Sequence, residues 1–231
     1  PFSSLKQAER ILAAGERVDG SSLFKGLMDA ASSDLYVVPS YRSAFISPFD
    51  KSSLNFMCRF LDRDGQRAPF TPDNILALSH QRFKEQTGME LHALGELEFY
   101  LIGPSNSELY VPARQTGYHS SSPFFIYGDV VNEMVRYISQ ITGAIKYAHA
   151  EVGFIDHIRS DRPTLKGKRA EQHEIEFLTR PIDEMGDFLS IARWIIRNVA
   201  YRHGMLASFT PKLEEGVAGN GFHVHLELVK E

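Results

Sequence analysis

Apolar residues recur along the chain with two different periods, and each change of period marks a new element. In SSLKQAERILAAGERVDG, Leu5, Ala8, Ile11 and Leu12 fall on one face of a short helix that Ala14-Gly15 and Asp19-Gly20 break. From Asp34 to Leu61 the runs DLYVVP, SAFIS and LNFMCRFL read as strands, and the turn DRDGQ closes the last, with Asp64-Gly65 as its hairpin signal. Pro69 to Pro72 reads as a linker. A helix is predicted from about Asn74 to Gln86, burying Ile75, Leu76, Leu78 and Phe83. LHALGELEFYLI is strand-like, with Leu97, Phe99 and Leu101 alternating against Glu96, Glu98 and Tyr100. Residues 105–122, rich in Ser, Pro and Tyr, read as loop.

Two longer helices follow. Asp129 to Ala148 repeats Val131, Met134, Val135, Ile138, Ile141 and Ile145 at helical spacing. Ile182 to Arg202 carries the stripe Met185, Phe188, Leu189, Ala192, Ile196 and Val199, with Gly204 as its stop. Strand-like pieces surround both: HAEVGF, EQHEIEF, LASFTP and FHVHLEL. The pattern predicts an α+β protein, with a small β-rich domain over residues 1–70 and a larger domain over 71–231.

Bulk properties narrow the function classes. The chain has 231 residues, 43% hydrophobic and 23% charged, within the range of ordinary globular protein. A net charge of −4 offers no electrostatic case for nucleic acid or an anionic membrane. No apolar run approaches the roughly 20 residues that span a bilayer. A single cysteine, Cys58, excludes an internal disulfide and fits a reducing compartment, so a cytoplasmic location is expected. Beginning at Pro1, the sequence reads as a piece of something longer.

Candidate chemistry comes from alternation. Glu96 and Glu98, Glu151, Glu174 and Glu176, and His223 and His225 occupy alternate positions on four strand-like segments. Alternation puts such side chains on one face of a strand. An E-x-E on one strand is by itself most often the solvent side of an amphipathic sheet, and an H-x-H more often a satisfied or exposed pair than a ligand pair. Recurrence on four segments points instead to a cation site. Neighbouring carboxylates repel, and a polyvalent cation such as Mg²⁺ or Mn²⁺ relieves that repulsion. A histidine among them suits Mn²⁺ somewhat better than Ca²⁺.

In their order, these segments resemble the glutamine synthetase family. VDGSS is similar to the family's DGSS segment in its N-terminal β-grasp domain, and SDLYVVP to the segment after it. GELEFYLI resembles its E-x-E-F strand, AHAEVG followed by EQHEIEF its E-V and Q-H-E-I pair. HGMLASFTPK and GNGFHVHLEL are similar to the segments leading to its H-x-H. The resemblance implies a partial β-grasp domain followed by a catalytic domain with a curved antiparallel sheet flanked by helices. It implies an ATP-dependent ligase that joins the γ-carboxylate of glutamate to ammonia or a small amine through γ-glutamyl phosphate.

Carried over by motif position, Glu98, Glu151 and Glu174 would hold one Mg²⁺ or Mn²⁺ ion, and Glu96 and His223 a second. His225 would contact the ATP phosphates, and Gly219 would lie in the glutamate-binding loop. Asp19 and Ser22 would help form an ammonium site for a neighbouring subunit of a ring-shaped homo-oligomer.

The match also departs from the pattern. Between Glu151 and Glu174 lies DHIRSDRPTLKGKR, where the family has a short turn; it reads as a solvated loop or as a basic flap near phosphate. Glu171 stands for a Gly, Ala218 for a substrate-binding Asn, Glu227 for a Ser and Phe24 for a Trp. The family continues beyond His225 with a further metal carboxylate and phosphate-binding arginines, so this piece by itself is expected not to catalyse the reaction. The alternatives are an inactive relative that binds a metabolite or regulates an oligomer, its Glu151 or Glu174 strand displaced by the insertion, and a metal-free structural domain.

Overall fold

A computed structural model describes residues 2–28, 33–104, 109–110 and 112–230. The predicted loop at 105–122 therefore lies partly outside the described residues. The chain divides into two compact units, one reaching Leu91 and including the end of the last strand from Val229, the other His92–Leu228.

In the first unit, helix α1 (Leu5–Ala14) starts at Ser4, whose side chain accepts the N–H of Gln7. Strands β1 (Glu16–Asp19), β2 (Asp34–Pro39) and β5 (Cys58–Leu61) form an antiparallel sheet in the order β1-β2-β5. A short helix, α2 (Gly20–Leu23), follows β1, and β3 (Phe45–Ile46) pairs with β4 (Leu54–Asn55). Phe24 meets Phe60 and Phe70 edge-on, with ring centroids 5.1 and 5.5 Å away, so the ring standing for the family's Trp is packed.

Helix α3 (Pro72–Thr87) departs from its predicted face. Ile75 and Leu78 are 49% and 37% exposed, whereas the polar Asn74 is fully buried. The Asn74 amide donates to Phe60 O at 2.7 Å, Ala68 O at 3.0 Å and Thr71 Oγ1 at 2.9 Å. One polar side chain thus satisfies buried loop acceptors, a demand that apolar periodicity does not register.

The second unit is built on one sheet. Its long strand β6 (Met89–Gly103) pairs antiparallel with β8 (Arg169–Phe177), which pairs in turn with β7 (Ile145–Ile155). Strands β9 (Arg180–Pro181), β10 (Leu206–Ser208) and β11 (Phe222–Lys230) also pair with β6. Helix α4 (Gly128–Thr142) packs on β7 and on α5 (Ile182–Arg202), and α5 packs on β9 and β10. Leu97 and Phe99 of β6, Ile175 of β8, Met134 and Ile138 of α4, and Met185, Leu189, Ala192, Ile196 and Val199 of α5 are buried. Each fully buried Ile or Leu contributes about 1.5–3 kcal/mol.

The α5 boundaries are those the pattern predicts, and Asp183, Glu184 and Arg202 complement the helix dipole at its two ends. The predicted Asp129–Ala148 helix is too long. It ends at Thr142 because Gly143 adopts a left-handed conformation (φ 58°), and Ile145 begins β7. The stretch after β7 folds back as a hairpin extension, with Ile158 N–H bonded to Lys168 O (2.8 Å) and Gly167 N–H to Ile158 O (3.0 Å). Its Ile158 and Leu165 pack on Tyr100, Ile102, Ile155, Ala170 and Val217.

Glu171 is buried and structural. Its carboxylate accepts the N–H of Ile126 (2.9 and 3.1 Å) and of Tyr127 (3.0 Å), at the start of α4. A negative group there also complements the helix dipole. Replacing Glu171→Ala leaves both donors unsatisfied, and the expected loss is about 3 kcal/mol. A lowered urea midpoint at unchanged slope will show it.

Candidate metal centre

The register of β6 and β8 sets the site. Glu96 lies opposite Glu176 and Glu98 opposite Glu174, with Leu97 opposite Ile175 on the other face. The hairpin extension does not displace this pairing. On the far side of β8, His149 lies opposite Glu174. Between Ala150 and Phe154 the β7–β8 register shifts, so Glu151, Val152 and Gly153 face a single partner residue, Gln172. Glu151 thus stands on a bulge, a device that re-aims a side chain.

Glu96, Glu98, Glu151, Glu174, His223 and His225 line one open cleft of about 860 Å³, together with Tyr118 and Glu176. The two histidines of β11 clasp Glu96 from outside. His223 Nδ1 is 3.0 Å from Glu96 Oε2, and His225 Nε2 is 2.9 Å from Glu96 Oε1. His223 and His225 lie on a strand, β11, that is exposed on both faces.

One ligand atom each from Glu96, Glu174 and His223 lies within 4.8 Å of the others, and the same holds for His149, Glu174 and Glu176. Glu98 and Glu151 line the cleft with oxygens engaged by protein donors. Glu98 Oε2 accepts from Gln172 Nε2 at 2.9 Å, and Glu151 Oε2 from the Val152 N–H at 3.2 Å. Gln172 is a hub that sequence reasoning did not single out. Its amide also donates to Gly219 O (2.8 Å) and Asn220 Oδ1 (3.2 Å), tying the loop before β11 to the cleft floor. The available signal was its parity, since Gln172, Glu174 and Glu176 share one face of β8. His149 was likewise missed, although it alternates with Glu151 in AHAEVG.

Gly219 is packed where a Cβ would come within 2.4 Å of Pro211 O. Ala218 is held through its backbone: its N–H donates to Gln115 Oε1 and its carbonyl accepts from Tyr100 OH, both at 2.7 Å. Glu227 is exposed and shares the parity of His225.

Burial, followed by the charges of Glu151, Glu96 and Glu98, pushes Glu174 up to about 7. Burial also raises Glu151. Glu176 is opposed by burial but held below its ordinary value by Lys146, 2.8 Å away, and by Tyr147. A dication fits this donor set, since it answers converging carboxylates for which the protein supplies few cations.

Asp19 and Ser22 belong to the first unit. Asp19 caps α2, and its carboxylate accepts from Ser22 Oγ (2.5 Å), Ser21 Oγ (2.7 Å) and the Ser21 N–H (3.0 Å). These hydroxyls, Ser22 first, hold it well below the usual carboxylate range.

The family model of the glutamine synthetase catalytic domain matches residues 70–231. The chain belongs to the glutamine synthetase family. It is 26% identical to glutamine synthetase of Thermus thermophilus, over 97% of this chain and 48% of the relative. To the Pyrococcus horikoshii glutamine synthetase it is 28% identical, over 100% and 47%. The chain therefore spans about half the length of the curated glutamine synthetases it matches. Among solved structures, ligand-free GmaS has a TM-score of 0.78 at 20% identity, covering 97% of this chain and 49% of that one. Plasmodium falciparum glutamine synthetase has a TM-score of 0.76 at 20% identity, with 96% and 46% covered. These two likenesses bear on the fold.

The crowding has a measurable consequence in this glutamine synthetase relative. Glu174 is raised above its ordinary 4.5, so the folded chain holds the extra proton between about 4.5 and about 7. Over that window Glu174 withdraws stability as pH rises. Thermal unfolding of metal-free protein is expected to show this decline, and Glu174→Gln to flatten it and to unfold at higher temperature than wild type above pH 7. Parallel pH profiles of the two proteins would refute the assignment.

Proposed function

We propose that the whole protein is an ATP-dependent ligase that joins the γ-carboxylate of glutamate to ammonia or a small amine through γ-glutamyl phosphate. The observation that carries this is the gathering of Glu96, Glu98, Glu151, Glu174 and His223 on one cleft in a chain of the glutamine synthetase family. Glu98, Glu151 and Glu174 hold one Mg²⁺ or Mn²⁺ ion, and Glu96 and His223 hold a second. Bound there, such ions neutralise charge on the crowded carboxylates and on the phosphoryl group in transfer.

His225, exposed at the cleft mouth, contacts the nucleotide phosphates. The loop at Gly219, pinned by Gln172, receives glutamate through its backbone. Ala218 offers no side-chain hydrogen bond, which relaxes selection at that point. Asp19, kept ionised by its serine donors, suits holding an ammonium ion more than taking its proton. With Ser22 it serves the site of an adjacent subunit in a ring-shaped homo-oligomer. No helix among the described residues is long and apolar enough to cross a membrane. Cys58 is a free thiol, which fits a reducing compartment, and on that ground we place the reaction in the cytoplasm.

An inactive relative was expected to have its Glu151 or Glu174 strand displaced. Glu174 instead stays opposite Glu98. The test is phosphate release from ATP by the full-length protein with glutamate and a panel of amines. Release with at least one acceptor is expected, and Glu98→Ala should reduce it to background. A folded, Mn²⁺-loaded protein that releases none with any acceptor would sink the ligase assignment.

A further inference from the structure

We propose that His149, Glu174 and Glu176 form a binding site for a divalent ion of the borderline class, Mn²⁺ or Zn²⁺, beside the Glu96–Glu174–His223 group. The site stands on its own geometry, because the ligase assignment gives neither His149 nor Glu176 a part.

All three side chains are largely buried, at 6%, 8% and 7% exposure, and Glu174 and Glu176 reach the open cleft. His149 Nε2 is 3.0 Å from Glu174 Oε2 and 3.6 Å from Glu176 Oε1. Yet this nitrogen, cut off from solvent, makes no hydrogen bond among the described residues. The other ring nitrogen settles the tautomer. His149 Nδ1 lies 3.1 Å from Ala150 O, and a carbonyl can only accept, so Nδ1 carries the proton. In the neutral ring Nε2 then presents a lone pair to two carboxylates. Three electron-rich atoms facing one another repel, and a cation among them relieves that repulsion.

A backbone carbonyl on the far nitrogen is also the support that metal-ligating histidines use. The ring plane is held by stacking on His119 (centroids 4.1 Å apart, 17° between planes) and on Tyr147 (5.5 Å, 30°), with Tyr118 edge-on at 5.4 Å. Lys146 leaves the site available. It takes Glu176 Oε2 at 2.8 Å, whereas Oε1 is the oxygen facing His149. Lys146 therefore orients Glu176 and offsets part of its charge. One imidazole nitrogen with two carboxylates favours Mn²⁺ or Zn²⁺ over Mg²⁺, which takes oxygen ligands and releases water reluctantly.

Pulsed EPR of Mn²⁺ added to the 231-residue protein tests this through the coupling of the metal electrons to histidine nitrogen. In His223→Gln, which removes the neighbouring histidine ligand, nitrogen coupling should persist, also in excess Mg²⁺. It should vanish when His149→Gln is added. Glu176→Gln, nearly isosteric, should weaken Mn²⁺ at this site by at least the roughly 10- to 100-fold that loss of an outer-shell partner costs. Coupling already absent in His223→Gln overturns the proposal. So does coupling that survives the double substitution, or wild-type Mn²⁺ affinity in Glu176→Gln. Should circular dichroism show that the His149 variant does not fold, Glu176→Gln decides. None of these readouts requires ligase activity, so the proposal can fail while phosphate release stands, and the reverse.

Discussion

Carboxylate faces carboxylate twice along the β6–β8 pair, at Glu96 with Glu176 and at Glu98 with Glu174. Like charges directly opposite destabilise an antiparallel pair, so some other interaction must impose this register. It lies on the reverse face, where Leu97 and Phe99 meet Ile175 and His173 in the layer covered by α4 and α5. A slip of β8 by one residue would send Glu174 and Glu176 into that apolar layer and turn Ile175 toward the cleft. Burying several charges without partners costs far more than aligning them at a cleft. The core therefore holds the acidic face together against its own repulsion.

The way that repulsion is relieved differs from one glutamate to the next. Glu98 is steadied by Gln172, Glu176 by Lys146 and Tyr147, and Glu96 by His223 and His225. Among the described residues Glu174 has no comparable donor, and it is common to both groups of metal-competent atoms. Burial and the neighbouring carboxylates favour its protonated form, so a proton and a bound cation would compete for it. The bulge at Glu151 brings a further acid to the same place without lengthening the sheet.

Much of this was legible in the residues because it depends on period. Helix α5 follows from one uninterrupted apolar stripe, and the acidic face of β6 from strict alternation. Period failed where a single residue or a side-chain bond decides. The stripe from Val131 continues in step to Ile145, and only the left-handed Gly143 separates a helix from a strand. Asn74 is buried by the loop acceptors it serves, while Ile75 and Leu78 face outward. His149 escaped notice because its importance lies in what faces it across β8, and register is a tertiary fact.

The departures from the family pattern take on a common meaning once they are placed. Phe24 fills its place with edge-on aromatic contacts, and Glu171 fastens the start of α4. The basic stretch after β7 is a largely exposed loop anchored at two points, where Ile158 and Leu165 pack on Tyr100 and Val217. Tyr100 then bonds Ala218 O, and Gln172 bonds the adjoining Gly219 O. The insertion thus braces from beneath the loop whose next turn delivers His223 to Glu96. Ala218 lacks the amide of the family's Asn, and its backbone is fixed instead by Gln115 and Tyr100. These last departures therefore lie in the supports of the Ala218–Gly219 loop rather than among the carboxylates that line the cleft.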